Sequence, residues 1–215
     1  MKHFLVIGLG RFGRAVAEGL TEAGGEVIAI DTDMSLVEDI RDRVAVAAQV
    51  DSVEIEALRA VGAAEVDAAV VAIGEDFAAA ILTVAILKEL GIKKIIARAN
   101  NERERRILEL VGATLVLSVE VEMGQRLARS LAADVLDLVA LGNGISIIYW
   151  NADERVIGRT LGESELRSRW RLNLVAVRPA GQENLDILPP PDYVFQRGDV
   201  LLLVGADARL EVFNK

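Results

Sequence analysis

Short apolar runs rich in β-branched residues alternate with longer amphipathic segments from the first residues to about residue 133. Strands are predicted at residues 4–7, 27–30, 44–48, 68–73, 94–97 and 114–117. Helices are predicted between them at residues 12–23, 35–41, 53–61, 77–90 and 101–111. This alternation is typical of α/β proteins, and right-handed crossovers then favour a Rossmann-like, doubly wound parallel sheet with strand order 3-2-1-4-5-6.

The pattern changes after a further predicted helix at residues 120–133, which we interpret as a connector. A turn at residues 142–144 precedes a predicted strand at 145–150, and further strands are predicted at 172–178, 193–196 and 200–204. Residues 160–169 are predicted to be helical, and the three prolines at 189–191 indicate an exposed loop. We therefore predict two domains, an α/β domain with the connector helix at residues 1–135 and a small α+β domain at residues 136–215.

Composition narrows the classes of function. The chain has 24 Lys and Arg residues against 33 Asp and Glu residues, and its net charge of −9 argues against a nucleic-acid partner. It has no cysteine and one histidine, so thiolate metal sites and Ser-His-Asp chemistry are disfavoured and we expect no enzymatic activity. The apolar run at residues 77–87 is too short for a membrane helix. Strand-like residues begin at Phe4, so we expect no secretory leader. We expect a cytoplasmic protein.

A glycine motif directly follows the first predicted strand and opens the first predicted helix. It reads Gly8-Leu9-Gly10-Arg11-Phe12-Gly13. In dinucleotide-binding folds such glycines permit a tight turn, close approach of a pyrophosphate and packing of helix on strand. Asp31 ends the second strand 18 positions after Gly13, where a carboxylate binds ribose hydroxyls and disfavours a 2′-phosphate. The alternative is a glycine-rich turn that binds no ligand.

Two arginines and one glutamate extend this candidate site. Arg11 lies in the first helical turn, where a cation opposes the helix dipole unless an anion neutralises it; the alternative is a solvated side chain. Arg98 closes the fifth strand at the same sheet edge and could hold a terminal phosphate. Glu120 begins the connector helix and could hold a divalent ion, although the helix dipole alone also favours an acid there.

Two further positions follow the third strand. Asp51 and Ser52 are candidates for contacts beside the adenine. The spacing of Asp51 and Glu54 is also that of a capping box, so the alternative is an ordinary helix start. Asp33 is interpreted as the solvent-facing N-cap of the second helix, and the alternative is a contact with the ligand.

The chain resembles the RCK family, also called KTN, of cytosolic regulators of potassium channels and of Ktr- and Trk-type potassium transporters. The matching segments of the first domain are FLVIGLGRFG (4–13), VIAID (27–31), IIARA (95–99), GA (112–113) and VEVEMG (119–124). Those of the second domain are GRTLGES (158–164), LNLVAV (172–177) and GDVLL (198–202). The pairing of both domains is more specific than the glycine motif alone.

The resemblance implies a nucleotide-gated regulatory subunit of a Ktr-type potassium uptake system, with ATP and ADP stabilising different shapes of a ring. The implied partners are a membrane potassium-transporting subunit and further copies of the chain, as dimers and an octameric ring. A divalent cation, Mg²⁺ or Ca²⁺, is implied beside the nucleotide. In relatives the region of Arg167 and Asn173 is similar to one that binds cyclic di-AMP; the alternative for Arg167 is a surface helix residue.

Two other functions remain open at this point. An NAD(H)-dependent oxidoreductase could use the first domain equally well, and so could a sensor that binds NADH without turnover. An oxidoreductase would need an acid or base for its substrate, and none is evident in the second domain. Residues 136–215 contain no histidine or cysteine, and their one lysine is the terminal Lys215.

Overall fold

The computed structural model describes residues 1–132 and 135–206. The chain divides into two compact units, Met1–Glu122 and Met123–Lys215. The end of the predicted connector helix at residue 133 and residues 207–215 of the predicted second domain lie outside the described residues. The domain boundary at 135/136 stays a prediction.

The first unit is built on a six-stranded parallel sheet. Its strands are β1 (His3–Ile7), β2 (Glu26–Asp31), β3 (Val46–Gln49), β4 (Ala68–Val71), β5 (Ile95–Arg98) and β6 (Leu115–Leu117). The order β3-β2-β1-β4-β5-β6 confirms the predicted doubly wound sheet. The chain therefore reverses its winding between β1 and β4, which is where such sheets form a crevice at the carboxyl ends of the strands.

Helices cover both faces of this sheet. They are α1 (Arg11–Glu22), α2 (Met34–Ile40), α3 (Ile55–Ala60), α4 (Phe77–Glu89) and α5 (Glu102–Val111), followed by α6 (Val119–Ala132). Side chains of β1 alternate between the two faces, because Leu5 and Ile7 pack in one buried cluster with Leu108 of α5 while Val6 packs in another with Ala17 of α1. The near-continuous apolar strands thus follow from burial on both faces.

The second unit has a five-stranded antiparallel sheet in the order β10-β9-β11-β8-β7. Its strands are β7 (Asp137–Gly142), β8 (Ile145–Asn151), β9 (Asn173–Arg178), β10 (Asp186–Ile187) and β11 (Val200–Ala206). The predicted turn joins β7 to β8, with Asn143 at φ 52° and Gly144 at φ 71°, as a two-residue hairpin of Asn-Gly type requires. The strands β7 and β10 were not among the predicted elements.

Two predicted elements of this unit are wrong. Residues 160–169 form a bridge residue at Thr160 followed by turns instead of a helix, because Glu165 has a φ of 56°, a left-handed conformation that interrupts a right-handed helix. Residues 193–196 form an isolated bridge from Val194 to Thr160 instead of a strand. The segment ends at a turn at residues 197–198, where the Asp199 carboxylate accepts the Tyr193 hydroxyl and the Gln196 N–H.

Alkaline pH is expected to destabilise the second unit through Tyr193. Burial and the neighbouring Asp199 raise the pKa of Tyr193 above its ordinary value of 10.0. A group whose pKa is raised on folding contributes stability that is full below the unfolded pKa and is lost as pH rises above it. In urea unfolding curves from pH 8 to pH 11, the wild-type free energy of unfolding should therefore fall above about pH 10 by more than that of Tyr193→Phe. Parallel curves for the two proteins would contradict this expectation.

Candidate functional site

The glycine motif forms the loop between β1 and α1, and two of its glycines are required by packing. Gly8 has φ +88°, and a Cβ there would lie 3.1 Å from the Ala72 carbonyl carbon. A Cβ on Gly13 would lie 1.8 Å from the Gly8 carbonyl oxygen. The loop therefore holds α1 directly against the end of β1 and beside the segment that follows β4.

Gly10 differs from the other two because nothing in the chain lies within 4 Å of a Cβ built on it. It is the N-cap of α1 at φ −60°, a conformation that any residue adopts. The absence of a side chain at Gly10 leaves open space in front of the helix, where the first-turn N–H groups have no intrahelical acceptor. No acidic residue lies in that first turn, so the helix end offers donors and a positive dipole to an anion.

Arg11 adds a cation to the same helix end. Its side chain is exposed, and it makes no hydrogen bond or ion pair within residues 1–132 and 135–206. Phe12, beside it, is half-buried and packs against the cluster formed by Val6, Val27 and Ala29. Arg11 is thus available to an external anion, whereas Phe12 has a packing role within the unit.

Asp31 lies at the end of β2 and faces the glycine loop. Its Oδ2 accepts the Leu9 N–H at 2.6 Å and its Oδ1 accepts the Asp33 N–H at 2.9 Å. Each carboxylate oxygen keeps a further acceptor position for a hydroxyl donor. The predicted Asp33 cap is present, because its carboxylate accepts the Ser35 N–H and hydroxyl, and these bonds lower the Asp33 pKa.

Asp51 and Ser52 have different surroundings from each other. Asp51 is exposed and accepts the Val53 N–H at 3.1 Å, while α3 begins after Glu54, so the predicted capping box is not formed. Ser52 is only 5% exposed, and its hydroxyl lies 2.7 Å from that of Thr83 in α4. The ligand roles of both residues stay predictions, and Ser52 has a packing role of its own.

Arg98 ends β5 and is held rigidly. Its side chain is 21% exposed, and its Nη2 donates to Oε1 of Glu120 at 2.6 Å. The guanidinium lies over Gly74, where a Cβ would come within 2.9 Å of Nη1. Gly74 is in turn held by Asn100, whose Nδ2 donates to the Gly74 carbonyl at 2.7 Å. Among the side chains that the structure describes, the buried Arg98 Nε has no hydrogen-bond partner.

Glu120 and Glu122, both in the first turn of α6, each pair with an arginine of the first unit. Glu120 is 65% exposed and pairs with Arg98, while Glu122 pairs with Arg105 of α5 at 2.9 Å. No group of three or more His, Cys, Asp or Glu side chains suited to a metal ion occurs within the described part of the chain. A divalent ion at Glu120 would therefore need ligands from a bound molecule or another chain.

The structure thus brings several predicted residues to one edge of the sheet. The Gly8–Gly13 loop follows β1, Asp31 ends β2, and Arg98 ends β5, so all lie at carboxyl ends of parallel strands around the point where the winding reverses. Sequence reasoning missed Gly74 and Asn100. The only sequence signal for Gly74 was its position directly after a predicted buried strand. No sequence pattern indicates that Asn100 contacts Gly74.

The second unit contains a separate cavity of about 420 Å³. It is lined by Arg155, Arg159, Ser164, Glu165, Arg169 and Trp170. Arg167 and Asn173 do not line it, and both are exposed. Arg167 lies in a turn, so the alternative of a surface helix residue does not hold. None of the helices in the described residues is both long and apolar enough to cross a membrane.

Comparison with protein families and relatives covers both units. Residues 4–119 match the TrkA-N domain, and residues 146–215 match the TrkA-C domain. The Ktr system potassium uptake protein C of Bacillus subtilis (strain 168) is 34% identical over 215 residues, covering 100% of this chain and 96% of that protein. The Ktr system potassium uptake protein A of Vibrio alginolyticus is 32% identical over 213 residues, covering 97% and 94%.

Solved structures share the fold. The crystal structure of the GsuK RCK domain is 25% identical with a TM-score of 0.55, covering 99% of this chain and 45% of that one. The GsuK channel bound to NAD is 24% identical with a TM-score of 0.55, covering 99% of this chain and 38% of that one. This chain therefore spans less than half the length of those two.

Proposed function

The chain belongs to the TrkA-N/TrkA-C family, which confirms its resemblance to RCK proteins, and we propose that it is a nucleotide-responsive regulatory subunit of a potassium uptake system. The similarity to Ktr system potassium uptake proteins extends over nearly the full length of both chains and supports this role. In this proposal the partner is a membrane potassium-transporting subunit. Through that partner the protein works at the inner face of the membrane.

The observation that carries the nucleotide part is the open space at Gly10. Packing explains Gly8 and Gly13 but gives no reason for a glycine at position 10, whereas a phosphate group in that space does. Arg11 is available beside it, and Asp31 offers acceptors for ribose hydroxyls. These features support an adenine nucleotide with a free ribose diol.

We propose ATP and ADP as the ligands that the subunit distinguishes. ATP carries one more phosphate, and Arg11 and Arg98 are the cations available at the site edge for it. A divalent ion, Mg²⁺ or Ca²⁺, would offset the added charge, with Glu120 and the phosphates as its ligands. In the proposed ring, the alternative for Arg11 is a contact with the nucleotide of a neighbouring subunit.

In an octameric ring, a small difference in binding free energy between the two ring shapes at each site is enough to switch the whole ring. Moving a two-state equilibrium from 1:99 to 99:1 takes about 5.5 kcal/mol, which over eight sites is roughly 0.7 kcal/mol each. This is less than one charge-assisted hydrogen bond to a phosphate contributes, so the proposal needs nucleotide occupancy and no hydrolysis. Exposed apolar side chains such as Leu82 of α4 and Leu127 and Leu131 of α6 support self-association. Light scattering that gave a monomer at micromolar concentration would exclude the ring.

The second unit is proposed as a dimerising and regulatory module. Cyclic di-AMP near Arg167 and Asn173 is part of this proposal, with a rise in melting temperature at saturating ligand as its measurement. An unchanged melting temperature would exclude it.

NAD(H) is the alternative ligand, since its adenosine ribose also has a free diol. Calorimetric titration of the full-length protein with ATP, ADP, NAD⁺ and NADH decides between the two. NADH binding at least tenfold tighter than ATP or ADP, about 1.4 kcal/mol, would favour a redox sensor or an oxidoreductase over the proposed function.

Substitution of Asp31 by alanine is expected to weaken the binding of ADP and of ATP by the same factor, about tenfold or more, because both nucleotides contain the ribose that Asp31 would contact. The matched control is Asp33→Ala, which removes a carboxylate two positions away that caps α2. That variant should keep wild-type affinity in the same calorimetric titrations. Equal affinities of Asp31→Ala and wild type would show that the ribose binds elsewhere.

A further inference from the structure

The ion pair between Arg98 and Glu120 joins the proposed nucleotide site to the first turn of α6. Arg98 ends β5 at the edge that carries the site, and Glu120 is the second residue of α6. The Nη2 to Oε1 distance of 2.6 Å is that of a charge-assisted hydrogen bond. A carboxylate of the chain itself therefore occupies one donor of the arginine that would otherwise be available to a phosphate.

The two partners differ in how freely they can move. The Arg98 side chain is mostly buried, lies against Gly74, and has a buried Nε without a partner among the described residues. Glu120 is mostly exposed, so its carboxylate regains water when it leaves the arginine. An anion arriving at the site would thus find Arg98 already in place and would displace Glu120.

A second ion pair lies next to the first and has no connection to the site. Arg105 of α5 donates to Oε1 of Glu122, and the same oxygen accepts the Ser118 N–H at 3.1 Å. This second pair would keep the start of α6 attached to the first unit when the first pair opens. It also supplies a control glutamate in the same helical turn with the same charge.

We propose that the Arg98–Glu120 ion pair is a clasp that a phosphate-bearing ligand opens, so that occupancy of the site changes the freedom of the first turn of α6. The inference rests on the proposed nucleotide site and assigns its regulation. Binding transfers Arg98 from the Glu120 carboxylate to the phosphate. Glu120 is then free to face solvent or a divalent ion.

The test compares ATP affinities of the full-length wild type, Glu120→Gln and Glu122→Gln by calorimetry in EDTA, which removes any contribution from a divalent ion. ATP is the probe because its additional phosphate is the one proposed to reach Arg98. Removing the competing charge should strengthen ATP binding about threefold in Glu120→Gln. Glu122→Gln should bind as the wild type does. Equal affinities for the wild type and Glu120→Gln, or equal tightening in both variants, would overturn the clasp.

A double-mutant cycle separates competition from simple charge repulsion. In an Arg98→Ala background, Glu120→Gln should no longer strengthen ATP binding, because the arginine for which the two anions compete is absent. If Glu120→Gln still strengthens nucleotide binding in that background, Glu120 acts only through long-range electrostatic repulsion of the phosphates.

Hydrogen exchange supplies a readout that affinity alone does not. Saturating ATP in EDTA should raise the exchange rate of the first hydrogen-bonded amide of α6, the Glu122 N–H that donates to the Ser118 carbonyl, in the wild type. It should leave that rate unchanged in Glu120→Gln, where the clasp is already open. An unchanged rate in the wild type would overturn the coupling to α6. Failure of the wild type to bind any of the four nucleotides would instead reject the proposed function, and the clasp with it.

Discussion

Gly13→Ala is expected to prevent the first unit from folding. The Cβ would lie 1.8 Å from the Gly8 carbonyl oxygen, and that oxygen belongs to the backbone of a tight turn that cannot move without shifting α1 from the sheet. We expect a loss of more than about 4 kcal/mol, which exceeds what most single substitutions cost. Loss of helical circular dichroism, or of soluble protein, measures it.

Gly10→Ala is the matched control, since it adds the same methyl group three residues earlier in the same loop. No atom of the chain lies within 4 Å of that methyl group, and the φ of −60° suits alanine. Its thermal stability should stay within about 1 kcal/mol of wild type, while nucleotide affinity falls at least about tenfold. Unfolding of both variants, or full nucleotide binding by Gly10→Ala, would contradict the assignment of the open space to a ligand.

The tryptophans make these results easier to interpret. Both tryptophans of the chain, Trp150 and Trp170, lie in the second unit. They form an edge-to-face pair with ring centroids 5.9 Å apart, so their fluorescence reports on the packing of that unit. Gly13→Ala should therefore reduce helical circular dichroism more than it changes the fluorescence spectrum.

The first unit was predictable because its determinants are local. The glycine spacing, the acid at the end of β2 and the alternation of apolar runs with helices are each visible within a short window of sequence. The sheet order follows from them through the handedness of crossovers, which holds for any chain of L-residues. The positions of Gly8, Gly13 and Asp31 required nothing from distant parts of the chain beyond that order.

The remaining features of the site depend on contacts between distant residues. Arg98 and Glu120 are 22 residues apart, and Asn100 bonds to a carbonyl 26 residues away. Such pairs have no periodicity, so the sequence indicates the residues but not their partners. The sequence therefore indicated both Arg98 and Glu120 but not their pairing, and the role of Glu120 as a metal ligand stays a prediction.

The second unit was harder to predict for a different reason. Thr160 and Glu163 form the reciprocal bonds of a capping box, a signal for a helix start, but Glu165 has a φ of 56° and interrupts the helix after one turn. The strand β7 begins at Asp137, whose carboxylate pairs with Arg126 of α6; that bond lowers the Asp137 pKa. A charged first residue hides the strand from a search for alternating apolar positions.

Asp199→Ala is expected to unfold the second unit at mild denaturant concentrations. Asp199 is 1% exposed, and its carboxylate accepts the Ala180 N–H (3.0 Å), the Gln196 N–H (2.8 Å) and the Tyr193 hydroxyl (2.8 Å). Alanine would leave these donors without their acceptor in a buried position, where each unsatisfied group costs about 1–3 kcal/mol. We expect a total loss of about 3–5 kcal/mol.

Urea unfolding followed by tryptophan fluorescence measures this loss, with Tyr193→Phe as the control. Phenylalanine removes one donor and leaves the carboxylate with its two backbone partners, so its cost should be about 1 kcal/mol. The loss of unfolding free energy for Asp199→Asn should fall between those for the other two variants. Its amide keeps one acceptor oxygen but turns an NH₂ group toward a backbone donor. If Asp199→Ala costs no more than Tyr193→Phe, the two backbone bonds to the carboxylate contribute little. The turn must then be held by the backbone bonds of residue 199 itself, from its N–H to the Gln196 carbonyl and from the Ala152 N–H to its carbonyl.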